Sequence, residues 1–134
     1  MRLIIDCNIL VSAGLQSKNC LRVIKYATTK AELFISDDIV NEYQEVIKRK
    51  KFIKYHQYME NILTSVIMAS SLEISVPSSS ICLPDIFDVP YIDLAMAVKA
   101  DFLITGNLVD FPDTPYGKTT VISPADFLRK VLHI

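Results

Sequence analysis

The chain has 134 residues, of which 51% are apolar, and a formal net charge of -1. That length suits one domain spanning 1–134, large enough to bury roughly two-thirds of its unfolded surface and to fold without disulfides. The near-neutral balance supplies no global basic field of the kind that draws nucleic acid, and it points to a partner that assists solubility.

The first element is a short apolar run, Leu3-Ile4-Ile5, which ends at Asp6 and reads as a buried parallel strand. A helix is predicted over about 17–30, with Leu21, Ile24 and Ala27 or Thr28 on one face. Leu33-Phe34-Ile35 is a second buried strand. Ser36 then caps a helix whose first turn holds Asp37 and Asp38, where the dipole favours acids. Its apolar face is Ile39, Val40, Tyr43, Val46 and Ile47, and its last turns are the basic residues Lys48 to Lys51.

A further helix covers about 56–70, with Met59, Ile62, Leu63, Val66 and Ile67 at helical spacing. Leu72 to Val76 alternates like a strand, and Pro77 to Ser80 is a loop. Asp88 to Ala100 reads as a helix carrying Ile92, Leu94, Ala95, Met96 and Val98, with Pro90 in its first turn. Phe102-Leu103-Ile104 is a strand ended by Thr105-Gly106-Asn107, and Thr120-Val121-Ile122 is the last strand. Ser123-Pro124-Ala125-Asp126 has the cap, proline and acid that open a final helix. Short apolar strands alternating with helices predict a three-layer α/β/α fold, with a central, mainly parallel sheet flanked by helices.

Several chemistries are excluded. The three cysteines, Cys7, Cys20 and Cys82, fit neither a zinc site nor a redox pair and are expected as reduced thiols in a cytoplasmic protein. His56 and His133 are too few and too isolated for zinc, and three glycines form no phosphate-binding loop. The chain reaches Asp6 too early for a signal peptide, and no apolar run approaches the roughly 20 residues of a membrane span.

The acids carry the chemistry. Right-handed crossovers bring the strand C-termini to one edge of the sheet, where ligand sites of such folds lie. Asp6 ends the first strand there, and Asn107 and Asp110 follow the strand 102–104. Glu42 lies one to two turns into the helix after the second strand, and Asp88 opens the helix before strand 102–104. Carboxylates gathered in one place repel and raise one another's pKa unless a cation neutralises them. Oxygen ligands without His or Cys select Mg²⁺ or Mn²⁺, which can activate a water and stabilise charge on a phosphodiester. Each acid has a plainer reading: Asp88 as a helix cap, Glu42 as a solvated helix residue and Asp6 as a turn residue.

Three blocks of sequence resemble the PIN domain family, especially the toxin components (VapC-like) of prokaryotic toxin–antitoxin pairs. The first is Ile4-Ile5-Asp6-Cys7-Asn8-Ile9-Leu10-Val11-Ser12-Ala13. The second is Ser36 to Arg49, in which the family's metal-site Glu falls on Glu42. The third is Asp85-Ile86-Phe87-Asp88 followed by Leu94-Ala95 and by Ala100 to Asn107, in which the metal-site Asp falls on Asp88. The closing Ile122 to Leu128 also matches, so the likeness spans nearly the whole chain. It implies metal-dependent endoribonuclease activity, with Asp6, Glu42 and Asp88 coordinating Mg²⁺ or Mn²⁺ and Asn107 or Asp110 completing the shell. Asn8 and Thr105 are then expected to orient ligands or the attacking water, with Asp85 in support. The resemblance also implies an RNA substrate and an antitoxin partner, and a homodimer is the default assembly for a small chain.

The sequence departs from the family at two places. Asp85-Ile86-Phe87-Asp88 stands where many relatives have Asp-Pro-Asp-Asp, and Thr105-Gly106-Asn107 where many have Thr-Gly-Asp. The second departure leaves open a PIN-fold RNA- or protein-binding module with weak or no catalysis. A receiver-like signalling domain is the remaining rival, but Cys7-Asn8 follows Asp6 where that class needs a second acid. Lys48, Arg49, Lys50, Lys51 and Lys54 form a basic segment, followed by Tyr55 and Tyr58. It reads equally as a track for an RNA backbone and as a solvated helix terminus.

Overall fold

The computed structural model describes residues 1–134. Strand β1 (Arg2–Ile5) runs into helix α1 (Cys7–Gly14), followed by α2 (Lys18–Lys30), β2 (Glu32–Ser36) and α3 (Asp37–Ile47). A 3₁₀ segment at Lys50–Tyr55 leads into α4 (His56–Ala69) and β3 (Ser70–Glu73). Then come α5 (Val89–Val98), β4 (Phe102–Ile104), β5 (Thr120–Ile122) and α6 (Pro124–Asp126), which continues as a π-helical turn over Phe127–Val131. The five strands form one sheet in the order β3-β2-β1-β4-β5, and every pairing is parallel.

Successive strand residues point to opposite faces. Leu3, Ile4 and Ile5 of the central strand are all fully buried, so both faces of the sheet are covered by helices. This is the expected three-layer architecture, and the buried residues form one apolar cluster of 33 side chains. Burying one such Leu or Ile contributes about 1.5–3 kcal/mol, which makes the short central strands the best-anchored part of the chain. On one side Phe127 packs edge-on against Tyr26 of α2 and Phe102 of β4, with ring centroids 5.9 and 5.6 Å apart.

Most element positions match their sequence signals, and the exceptions have physical causes. Helix α1 has no counterpart in the sequence reading, because its nearly uniform burial (Cys7, Ile9, Leu10, Ala13 and Gly14) leaves little helical periodicity to detect. It meets α4 closely: a Cβ on Gly14 would lie 2.4 Å from Met59 Cγ, so only glycine fits there. The buried face of α2 is Cys20, Val23, Ile24 and Ala27, whereas Leu21 is partly exposed. On α5 Tyr91 is buried and Met96 exposed, the reverse of an apolarity count. Strand β3 pairs earlier than the alternation 72–76 indicates, and its extension ends where Ser75 takes φ 56°. Helix α3 stops at Ile47, so Lys48 to Lys51 lie beyond it rather than in its last turns.

Candidate metal centre

Asp6 leaves β1 at the carboxyl edge of the sheet and sits at the N-cap position of α1, yet its side chain makes no capping bond. Its carboxylate is held from the side instead. Thr105 Oγ1 donates to Asp6 Oδ2 at 2.7 Å, and Asn8 Nδ2 lies 3.2 Å from both Asp6 Oδ2 and Thr105 Oγ1. Asn8 Oδ1 accepts the Gly106 N–H at 3.0 Å, and Thr105 Oγ1 accepts the Asn107 N–H at 3.0 Å. This net ties the start of α1 to the turn after β4, and it depends on β1 and β4 being adjacent and parallel. Thr105 and Asp6 are both buried.

Glu42 comes from the middle of α3. Ser36 caps that helix by accepting the Ile39 N–H, and this fixes the helix's phase relative to β2. The Glu42 carboxylate is half-buried and accepts the Tyr91 hydroxyl at 2.8 Å. Asp88 closes a 3₁₀ turn (Ile86–Asp88) that Asp85 caps by accepting the Phe87 N–H at 2.9 Å. Asp88 precedes α5 but makes no side-chain cap bond, and its Oδ2 is buried without any hydrogen-bond partner. A buried carboxylate oxygen with no partner is costly unless a cation or proton satisfies it.

These groups line one cleft of about 920 Å³. Asp6, Glu42, Asp85, Asp88, Asn107 and Asp110 all line it. Asp38 and Glu45 bring the acids to seven, against the single cation Arg49, which pairs with Glu45 at 3.3 Å. Asn8 also lines the cleft, while Thr105 stands behind Asp6. Lys48, Lys50, Lys51 and Lys54 do not line it. The plainer reading of Asp88 as a helix cap therefore fails, since it makes no capping bond; Asp6, read plainly as a turn residue, is buried and held by Thr105, and Glu42 is bonded inside the cleft rather than solvated.

Electrostatics follow from this crowding. Burial pushes the Asp6 carboxyl above its usual range, opposed by the Thr105 hydroxyl. Burial also raises Glu42, opposed by the Tyr91 hydroxyl and reinforced by the charge on Asp6. Asp88 rises to about 7, first through burial and then through repulsion from Asp6, Asp85, Asp110 and Glu42. Burial pushes the Cys7 thiol up to about 12, so it carries no thiolate chemistry.

The donor set is entirely oxygen, as a hard divalent cation requires. No three acidic side chains stand close enough, as placed, to grip one ion together. That spacing fits a cation that keeps several waters and takes one or two carboxylates, as Mg²⁺ does. The orphaned Asp88 Oδ2 and the raised carboxyls are the features such an ion would satisfy.

Tyr91 was not legible as a site residue. Its hydroxyl accepts the Cys7 N–H at 3.1 Å while donating to Glu42, joining α1, α3 and α5 at one atom. The available signal was its position three residues after Asp88, on the same helix face.

A parallel α/β sheet with an acid-lined cleft at its carboxyl edge defines the class of protein. Residues 2–109 match the model of the PIN domain, and the chain belongs to that family. No curated protein matches the sequence. Among solved structures, the chain is similar to the crystal structure of VapBC2 from Rickettsia felis bound to a DNA fragment from their promoter. The two are 18% identical with a TM-score of 0.62, over 90% of this chain and 98% of that one, a likeness that establishes a common fold. No helix is long and apolar enough to cross a membrane.

Proposed function

We propose that this chain is a Mg²⁺- or Mn²⁺-dependent endoribonuclease, acting as the toxin of a cytoplasmic toxin–antitoxin pair. The observation that carries the reading is the convergence of Asp6, Glu42 and Asp88 on one cleft, with the buried Asp88 Oδ2 unpartnered. In this reading Asp6, Glu42 and Asp88 surround the cation, one or two of them bound directly and the rest through waters the ion keeps, and Asp110 or the Asn107 side-chain carbonyl completes its shell. A bound divalent cation supplies neutralisation of phosphate charge and a lowered pKa for water. Asn8 and Thr105 fix the Asp6 carboxylate, and Tyr91 fixes Glu42, so the donors are oriented before substrate arrives. Hydrolysis adds the water oxygen to phosphorus, breaks one P–O bond and leaves the proton on the departing oxygen. No side chain need be a covalent nucleophile.

The antitoxin partner rests on the family likeness and on the fold shared with the Rickettsia felis complex. A cyclic homodimer is the default assembly for a chain of this size. The spread of the acids and the amide at Asn107 favour a second reading, an RNA- or protein-binding PIN module with weak or no catalysis.

Incubation with mixed-sequence single-stranded RNA, with Mg²⁺, Mn²⁺ or EDTA, separates the two. Metal-dependent cutting by the wild type that is lost in Asp6→Asn supports the nuclease. A folded wild-type chain that cuts with neither metal supports the binding module. Asp6→Asn keeps an acceptor for Thr105 while removing a buried charge, so it is expected to melt no lower than wild type without metal.

A further inference from the structure

Ile86 and Phe87 are each 76% exposed, yet both line the acidic cleft. Phe87 immediately precedes Asp88, and its backbone is fixed rather than loose. Asp85 Oδ1 accepts the Phe87 N–H at 2.9 Å, and the Asp85 carbonyl accepts the Asp88 N–H at 3.1 Å. The ring is thus carried on a capped 3₁₀ turn beside the Asp88 carboxylate. An aromatic side chain there has water on its faces, which has an energetic cost that packing within this chain does not relieve.

The rest of the cleft limits what can use that ring. Seven carboxylates against one arginine repel a phosphodiester backbone everywhere except where a cation stands. Attraction at the rim must come from a group without negative charge. The uncharged parts of an RNA are its riboses and bases, and of these the bases have the flat faces that stack on an aromatic ring held by only two side-chain torsions. A base within a duplex has both faces covered by its neighbours, so only an unpaired base can accept the contact.

We infer that Phe87 is a base-stacking platform that holds an unpaired nucleotide beside the cutting position. The inference rests on the nuclease reading for its substrate. It is tested by binding, so its failure is distinct from a failure to cut. Phe87 acts as a specificity and positioning residue and takes no part in bond breaking.

The test is fluorescence anisotropy of a labelled, mixed-sequence single-stranded RNA of about ten nucleotides. The same strand in a duplex is the control. The full chain is used with Mg²⁺, carrying Asp6→Asn so that the RNA stays intact. Phe87→Ala should weaken single-strand binding roughly tenfold or more. Phe87→Trp should restore it, and duplex binding should not change. Thermal melting checks that both variants are folded. Equal single-strand binding by Phe87→Ala overturns the inference, as does a loss that Trp fails to restore or the absence of RNA binding by the parent. If Phe87→Ala leaves RNA binding intact but shifts the sedimentation of the chain from dimer to monomer, the exposed ring is a protein contact and the inference is overturned.

Discussion

The Tyr91 hydroxyl donates to Glu42 at 2.8 Å and, at the same oxygen, accepts the backbone N–H of Cys7 at 3.1 Å. One phenol thus sets the distance between the helix that starts after Asp6 and the helix that carries Glu42. Tyr91 is fully buried, so water cannot replace it readily. Tyr43 plays a matching part from α3, its hydroxyl donating to the Ile5 carbonyl at the end of β1. The two tyrosines clamp the site from behind and touch neither solvent nor the open cleft.

Replacing Tyr91 with Phe removes only that oxygen. The Cys7 N–H loses its partner, at a cost of about 1–3 kcal/mol for a buried unsatisfied donor. Glu42 loses the hydroxyl that opposes its raised pKa, so its carboxyl is expected to rise further. Metal affinity and cutting should fall about tenfold or more, the usual effect of removing a partner of a metal ligand. Urea denaturation and metal titration of the cutting rate check both halves.

The pH dependence follows from Asp6, Glu42 and Asp88, all raised, with Asp88 near 7. Between the usual carboxylate range and about 7 the folded chain holds more protons than the unfolded chain. Stability without metal should therefore fall as pH rises through that window. Protons and cations compete for the same oxygens, so Mg²⁺ should raise the melting temperature more above pH 7 than below it. Melting curves from about pH 4.5 to about pH 8, with Mg²⁺ and with EDTA, bracket the titration range of these groups. A melting temperature that rises with pH in EDTA would contradict the assignment.

Asn107 precedes and Asp110 ends one 3₁₀ turn (Leu108–Asp110), with the Asp110 N–H bonded to the Asn107 backbone carbonyl at 3.1 Å. If Asp110 completes the shell, Asp110→Asn should weaken metal binding several-fold, and Asn107→Asp should tighten it by restoring an acid to the family position. If Asn107 is the ligand, Asn107→Ala should have the larger effect. Calorimetric titration with Mn²⁺ ranks the three variants.

The basic segment has a separate test. Helix α3 ends at Ile47, so Lys50 and Lys51 do not sit in its last turn, and both are exposed at the start of the next 3₁₀ segment. Replacing both with Ala should weaken binding of single-stranded RNA and lower the slope of log K against log salt by about 1.4, from about 0.7 per phosphate contact. An unchanged slope would leave these lysines as solvated charge. Arg49 differs, since it lines the cleft and pairs with Glu45.

The sheet was legible in the sequence because its strands are short apolar runs ended by polar residues, and burial on both faces requires that pattern. The caps at Ser36 and Ser123 were also legible, since a hydroxyl accepting from the third residue on is a local interaction. Asp6, Asn107 and Asp110 could be assigned to one edge because strand direction alone puts them there. Helix α1 could not be read, because a helix buried on most sides shows no stripe. Asp88 was assigned by its motif, and only the capped turn at Asp85–Asp88 leaves its carboxylate unpartnered in the cleft. Tyr91 and Tyr43 join residues 49 and 38 positions away from them, contacts that exist only once three helices have packed on the sheet. The sequence by itself determined which oxygens are present and put Asp6, Asn107 and Asp110 at one edge of the sheet. Tertiary packing decided their burial, their mutual repulsion and the hydroxyls that hold them, because desolvation and hydrogen bonding are properties of neighbours that local sequence does not specify.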